Sequence, residues 1–314
     1  MANQSFRDFR VMIVYKPSPG DRTLDVVDEF RDKLDIEVKI QNEGFFEEAM
    51  NMIFEASRDY DITLTTDDDA IPTTSWIQEH TNMHKQHEKI GIFRGMINNV
   101  FIDERHLHII LHITMHIIGY YKPLLPELRN YVIFINDSGL LAYNSGLIKA
   151  IAKSNATMYY NVARGVNMSF KSRFIDDFKL PGATIRGLHN EQLLLLHYLN
   201  NHKFHTAWFK GGDVVHIDRE SISRSKNLKS RFMIDVETML LPYMITQYGV
   251  KINLNKLKRY HELIKIYSRF RKTIVIRAYE SGLRLAIEAI ENNYEPREVR
   301  NKLIELNKEV NIII

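Results

Sequence analysis

Cysteine is absent from the 314 residues, so a disulfide framework, thiolate metal ligands and a cysteine nucleophile are excluded. Any metal must sit on oxygen or imidazole. Long apolar runs are missing too. The longest, near Leu107 to Tyr121, is broken by His108, His112 and His116 and flanked by Arg105 and Lys122, short of the roughly 20 residues that span a bilayer. The opening decapeptide, MANQSFRDFR, has no apolar stretch of the secretory kind. These absences predict a soluble, cytoplasmic chain. Low-complexity tracts and internal repeats are also lacking, and 45% apolar side chains are ample for a packed core.

A strong overall charge is likewise absent, at +3, but the charge is unevenly placed. Residues 251–277 hold nine Lys/Arg against one acid, Glu262, a local +8 that leaves about −5 elsewhere. That segment is a candidate for contact with an anionic membrane surface, which would make the chain peripheral to a membrane. The same stretch carries an apolar helical stripe of Leu257, Tyr260, Ile264, Tyr267, Phe270 and Ile274. Packing of that stripe on the rest of the protein is the competing reading.

The first 70 residues alternate strand and helix patterns. Val11 to Tyr15 is a β-branched run closed by Lys16-Pro17-Ser18-Pro19-Gly20. Asp21 or Thr23 can cap a helix with Leu24, Val27, Phe30 and Leu34 on one face. A strand over Ile36 to Ile40, a helix over Phe45 to Ala56 and a strand over Ile62 to Thr65 follow, the last running into Asp67-Asp68-Asp69. Such alternation implies a parallel sheet whose ligands gather at the carboxyl ends of the strands. Lys16-Pro17 and the Asp triplet both lie there. Further strands are expected at Ile90 to Arg94, Tyr131 to Ile135 and Val166 to Phe170, and a hairpin or helix over Leu140 to Lys153. Beyond Ser221 the period is helical, so we expect an α/β domain over 1–220 and a helical extension over 221–314, with a boundary near 218–225.

Three consecutive carboxylates repel unless a cation or hydrogen-bond donors compensate them. Mg²⁺ and Mn²⁺ take hard oxygen ligands and are bound by one or two carboxylates plus substrate phosphates. A metal–diphosphate site is one reading. The other is an acidic loop at the positive end of a helix beginning near Pro72.

The stretch Leu64 to Trp76, LTTDDDAIPTTSW, resembles the signature loop of family 2 glycosyltransferases of the GT-A fold. Three further segments follow in the family's order: Asn167-Met168-Ser169-Phe170-Lys171 with Phe174 to Phe178, then Asn190-Glu191-Gln192-Leu193, then Val214-Val215-His216. The resemblance spans about residues 9 to 220. It implies a GT-A, Rossmann-like mixed sheet flanked by helices, and inverting, divalent-metal-dependent transfer of a sugar from a nucleotide-diphosphate donor to a saccharide or lipid-linked hydroxyl. It implies that Asp69 binds Mn²⁺ or Mg²⁺, that Asp67 faces the donor's ribose and diphosphate while sharing the metal, and that His216 completes the site. Asp68 and Tyr15, Lys16 and Pro17 would then be donor-side residues, and Glu191 the base that deprotonates the acceptor. The motif around Asn167 would lie on the acceptor side.

Two positions depart from the family: Glu191 stands for its usual Asp and His197 for its usual Arg. The family's base-reading Asp lacks a clear counterpart, and Asn42 or Glu43 is the substitute at hand. A nucleotidyltransferase is the rival enzyme, but Lys16 to Gly20 offers one lysine and one glycine where a phosphate loop is rich in both. A non-catalytic membrane- or nucleic-acid-binding module is the rival of another class. It leaves Asp67 to Asp69 and Glu191 without a role, and no nucleic-acid partner is expected. His108, His112 and His116 would share a helix face, as an acceptor-side or interfacial segment or as a metal site. His84 and His87 read as solvated helix residues. Tyr159, Tyr160, Trp208 and Phe209 read as core or as platforms for a sugar.

Overall fold

The structure is a computed structural model and describes residues 1–100, 120–163, 165–217, 227–270 and 273–309. The His108, His112 and His116 set and the expected boundary over 218–225 lie outside the described residues. The chain divides into two compact units, one of residues 1–101, 156–180 and 194–217, the other of 102–155, 181–193 and 218–314.

In the first unit, β1 (Val11–Tyr15) and β2 (Ile36–Ile40) pair in parallel, with Tyr15 opposite Ile40. Between them α1 covers only Thr23–Asp28, introduced by an Asp21 carboxylate that accepts the Thr23 N–H and hydroxyl at 2.8 and 2.6 Å. The predicted helix to Leu34 stops early. Of its apolar face only Val27 is buried, while Leu24 and Val26 face water, so too little packing energy is available to extend the helix. The helix α2 (Phe46–Ser57) starts where the Glu48 carboxylate accepts the Phe45 N–H at 2.7 Å. Its inner face packs Phe54 edge-on against Phe170 and Phe178, ring centroids 5.8 and 5.3 Å apart.

The main sheet has the order β3-β9-β5-β10-β8, comprising β3 (Ile62–Thr66), β5 (Ile90–Arg94), β8 (Met158–Tyr160), β9 (Asn167–Lys171) and β10 (His205–Phe209). It is mixed, where the local alternation predicts a parallel sheet. β5 and β10 run parallel, but β9 inserts antiparallel between β3 and β5, and β8 is antiparallel to β10. The central strand β5 is buried along its whole length, as its continuous run Ile-Gly-Ile-Phe requires. The helix near Pro72 is also corrected. Residues Ala70–Pro72 form β4, and the helix α3 begins only at Trp76 and runs to Gln86. β4 pairs antiparallel with β11 (Val214–His216), placing Ala70 opposite His216.

In the second unit, β6 (Ile133–Ile135) and β7 (Leu141–Tyr143) form an antiparallel pair. The buried Asn136 carboxamide oxygen accepts from Ser138 N and Leu140 N, each at 3.0 Å, which shapes the turn. The stretch from Leu140 is both hairpin and helix, because Asn144 then caps α4 (Ser145–Lys153) by accepting the Leu147 N–H at 3.0 Å. Among the described residues five helices lie beyond residue 220: α6 (Leu228–Thr238), α7 (Leu241–Thr246), α8 (Leu254–Phe270), α9 (Ile274–Glu291) and α10 (Pro296–Glu309). The helix α5 (Asn190–His202) precedes them, its residues 190–193 in this unit and 194–202 in the first. At Gly282 a Cβ would collide with the Val236 carbonyl, so glycine permits the close approach of α9 to α6. The basic segment's stripe divides: Leu257, Tyr260 and Ile264 are buried with Leu283 and Ile287, whereas Tyr267 is 39% and Phe270 81% exposed.

A buried ion pair secures the loop ahead of α5. Glu237, with no exposed surface, accepts the Ile185 and Arg186 N–H groups at 3.0 and 2.8 Å and the Arg186 guanidinium at 2.6 Å. Burial raises the Glu237 carboxyl's pKa, and the Arg186 donors oppose that shift. Glu237→Ala would leave two amides and a nearly buried cation without their acceptor. We expect a loss of about 3–5 kcal/mol in denaturant unfolding, and a loss under 1 kcal/mol would show that the cluster is not needed.

Candidate active site

The Asp triplet leaves β3 at its carboxyl end and is met by His216, 147 positions on in sequence. The β4–β11 ladder makes that meeting. Ile217 N donates to Asp69 O at 2.8 Å, and the His216 imidazole Nε2 then lies 3.1 Å from Asp69 Oδ1 and 3.6 Å from Asp67 Oδ2. Ligand atoms of all three side chains fall within 4.8 Å of one another. Asp69 and His216 are mostly buried, at 13% and 11% side-chain exposure, and Asp67 is half exposed. Burial raises the Asp67 pKa, His216 opposes the shift, and the Asp69 and Asp68 carboxylates add to it. Asp68 is exposed.

The backbone that delivers His216 is itself clamped. Asn98 Oδ1 accepts the His216 N–H at 2.8 Å from a left-handed residue, φ 51°, a conformation asparagine tolerates. Upstream, the buried Asn167 donates through Nδ2 to Met96 O at 2.6 Å and Gly212 O at 2.7 Å. Its Oδ1 accepts from Trp76 Nε1 at 2.8 Å and His80 Nε2 at 3.0 Å. Ser169, two residues along the same strand face, bridges His80 Nδ1 at 2.7 Å and His84 Nε2 at 2.9 Å. Burial lowers both imidazole pKa values, His80 to about 4 and His84 to about 3, with the neighbouring His80 also opposing charge on His84. The rings are therefore neutral struts. Gly95 has no room for a side chain, since a Cβ would strike the Gly212 carbonyl. Asn167 thus holds the loop at Gly212 and Ser169 the two rings of α3, both side chains being buried, where the sequence places their strand on the acceptor side. His84 is buried and not solvated.

The donor-side candidates form a second cluster. At the ends of β1 and β2, Lys16 Nζ donates to Gly44 O and lies 5.6 Å from the Phe45 ring. Gln41 N donates to Tyr15 O at 2.8 Å, and the buried Gln41 carboxamide donates to Glu43 O and Phe45 O, fixing the turn that presents Asn42. Pro17 and Asn42 are exposed. Tyr159, Trp208 and Phe209 are core, with Trp208 stacked on the Arg94 guanidinium at 3.4 Å.

Glu191 lies in the first turn of α5, half-buried, ahead of the buried run Leu193 to Leu196. It belongs to the second unit, while Asp67 to Asp69 and His216 belong to the first. His189, at φ 87°, precedes it and turns Nε2 toward Glu237 O and Thr238 O at 3.3 and 3.0 Å. Its pKa is lowered to about 4 by burial, so the ring is a neutral donor to those carbonyls. Asn98, Gln41, His189 and Glu237 were not marked by the sequence reading.

The profile of glycosyl transferase family 2 matches residues 1–152, which include β1 to β5 and the Asp triplet. The chain is a glycosyltransferase whose residues 1–152 are similar to family 2. Its mixed sheet flanked by helices, with C-terminal helices beyond, is the GT-A architecture that the resemblance implied. No curated protein matches the glycosyltransferase in sequence. Among solved structures it overlaps S. aureus TarS residues 1–349 at 12% identity over 93% of this chain and 86% of that one, TM-score 0.45. The mannosyltransferase PcManGT from Pyrobaculum calidifontis, determined with GDP-Man and Mn²⁺, overlaps at 12% identity over 99% and 70%, TM-score 0.47. GalNAc-T7, determined with UDP, GalNAc and Mn²⁺, overlaps at 10% identity over 72% and 41%, TM-score 0.44. At those scores no residue correspondence is carried from them into the glycosyltransferase.

Proposed function

We propose that the chain transfers a sugar, with inversion, from a nucleotide-diphosphate donor to a saccharide or lipid-linked hydroxyl acceptor, using a divalent cation. The observation that carries this reading is the convergence of Asp67, Asp69 and His216 at the end of β3. Their donor set fits such an ion: two carboxylates suit Mg²⁺ or Mn²⁺, and the imidazole nitrogen shifts the preference to Mn²⁺. Bound there, the ion would supply charge to a diphosphate leaving group. Lys16 and the Asn42 turn would bind the donor's nucleotide side, and Asp68 its exposed rim. Glu191 would accept the proton of the attacking hydroxyl.

The test is a thermal-shift panel of UDP-, GDP- and dTDP-sugars, each with and without Mn²⁺. A donor at a hundred times its dissociation constant stabilises by about 2.7 kcal/mol, so one class is expected to raise the melting temperature, and only with the cation. No shift with any donor would count against the reading.

The exposed end of α8 supports a second element, docking on an anionic lipid surface. Ile266, Tyr267 and Phe270 are exposed there beside Lys265 and Arg269, within the +8 segment 251–277. Among the described residues no helix is long and apolar enough to cross a membrane. Each cation near anionic headgroups contributes about 1 kcal/mol, and the attraction is screened over about 8 Å at physiological salt. Co-sedimentation with phosphatidylserine vesicles is expected at low salt and not with neutral vesicles. Lys265→Glu with Arg269→Glu and Lys272→Glu should detach the protein without changing its donor-induced shift. Indifference of the wild type to anionic vesicles makes these helices scaffold only.

A further inference from the structure

A second constellation of metal-ligating side chains lies in the first unit, away from the Asp triplet in sequence and shared by none of its residues. Asp176 sits in the left-handed region at φ 48° just after the short 3₁₀ turn Ser172–Phe174. His197 and His202 come from the last turns of α5, with ring centroids 5.7 Å apart. One carboxylate oxygen, Asp176 Oδ2, faces both rings, 2.7 Å from His202 Nε2 and 3.9 Å from His197 Nε2. The three ligand atoms lie within 4.8 Å of one another. Zinc takes imidazole and carboxylate ligands at about 2.0–2.2 Å, so two of its ligands stand about 4 Å apart at most, and shifts of tenths of an ångström would close this set.

We propose that Asp176, His197 and His202 bind a divalent cation of the zinc class, in a site independent of the one at Asp67, Asp69 and His216. Two imidazoles with one carboxylate are a softer donor set than the Asp triplet, and suit Zn²⁺ over Mg²⁺. The rings are mostly covered, at 9% and 20% side-chain exposure, while Asp176 is half exposed and leaves a face for a water ligand.

The surroundings also supply what a metal-bound histidine needs on its other nitrogen. His197 Nε2 now donates to Phe174 O at 3.1 Å, and Nδ1 accepts from Asn201 Nδ2 at 3.0 Å. Metal binding at Nε2 moves that proton to Nδ1, and a half-turn of the Asn201 carboxamide then presents its oxygen to accept it. No proton is gained or lost by the ring in that exchange. The site would fasten the end of α5 to the turn after β9, on the same helix whose first turn carries Glu191.

The experiment is a calorimetric titration of the full-length protein with Zn²⁺ alone, in four forms: wild type, Asp69→Asn, His202→Gln in the Asp69→Asn background, and Asn201→Ala in that background. Asp69→Asn removes the candidate site at the Asp triplet, so failure here and failure of the catalytic reading are distinguishable. We expect Asp69→Asn to retain one Zn²⁺ site, His202→Gln to weaken it by more than about 100-fold, and Asn201→Ala to weaken it by about 10–100-fold. Far-ultraviolet dichroism and melting in chelator establish that each variant is folded before titration. Should Asp69→Asn bind no Zn²⁺, or should it bind equally well with Gln at 202, the cluster is a hydrogen-bonded turn and the proposal is wrong.

Discussion

Asp69→Asn is expected to remove the cation-dependent donor shift entirely and to cut turnover by on the order of 10²-fold or more, since a bound cation contributes several kcal/mol to charge stabilisation. The substitution keeps the side chain's shape and the backbone contact from Ile217 N to Asp69 O, so the ladder that carries His216 survives. What it removes is one negative charge from a row of three. In the absence of cation that change relieves repulsion with Asp67, whose pKa burial already raises. The melting temperature without ligand should therefore stay level or rise slightly while donor binding disappears. Opposite signs in the two measurements separate a ligand-binding carboxylate from a merely structural one. Chelation of the wild type should reproduce the loss of turnover, and activity that ignores both chelation and Asp69→Asn would remove the metal from the reaction.

Of the strands in this unit, β1, β2, β3 and β5 were legible because each is a short apolar run rich in β-branched residues with Pro, Gly or Asp close to an end, and local pattern carries that much. Partners were not, because periodicity says nothing about which strand lies next to which. β9 therefore enters between β3 and β5 unannounced. Ala70-Ile71-Pro72 illustrates the same limit. Proline after an acidic loop looks like a helix start, and only pairing with Val214 to His216, far along the chain, makes the segment a strand. Pro72 is tolerated because it closes a strand of a two-stranded pair.

The misplacement of Asn167 and Ser169 has a more instructive cause. Polar residues at i and i+2 on a strand share one face, and whether that face meets solvent or a helix depends on what covers it. Here α3 covers it with Trp76, His80 and His84, at i, i+4 and i+8 on one side of the helix. That stripe of nitrogen-bearing rings was present in the sequence and is the signal that would have matched the strand's buried polar face. Asn98 and Gln41 gave no comparable signal, because each acts by holding backbone groups in turns, and single polar residues in loops are common.

The last expectation concerns Glu191→Gln, for which turnover should fall by about 10²–10⁴-fold, the usual contribution of a positioned base. Donor binding should be unchanged. The amide is nearly the same size and keeps the carbonyl acceptor, but it cannot take up the acceptor's proton at neutral pH. The backbone that presents position 191 is fixed by groups the substitution leaves alone: His189 donates to the Glu237 and Thr238 carbonyls, and Glu237 holds Ile185 and Arg186. The buried run Leu193 to Leu196 anchors the helix behind it. A loss confined to kcat, with the acceptor KM and the donor thermal shift preserved, identifies an interaction made in the transition state. The pH profile adds an independent readout, because the acid-side fall in kcat that a carboxylate base produces should flatten in the variant. If the donor shift falls in step with turnover, Glu191 binds or supports the donor, and the base must be sought elsewhere.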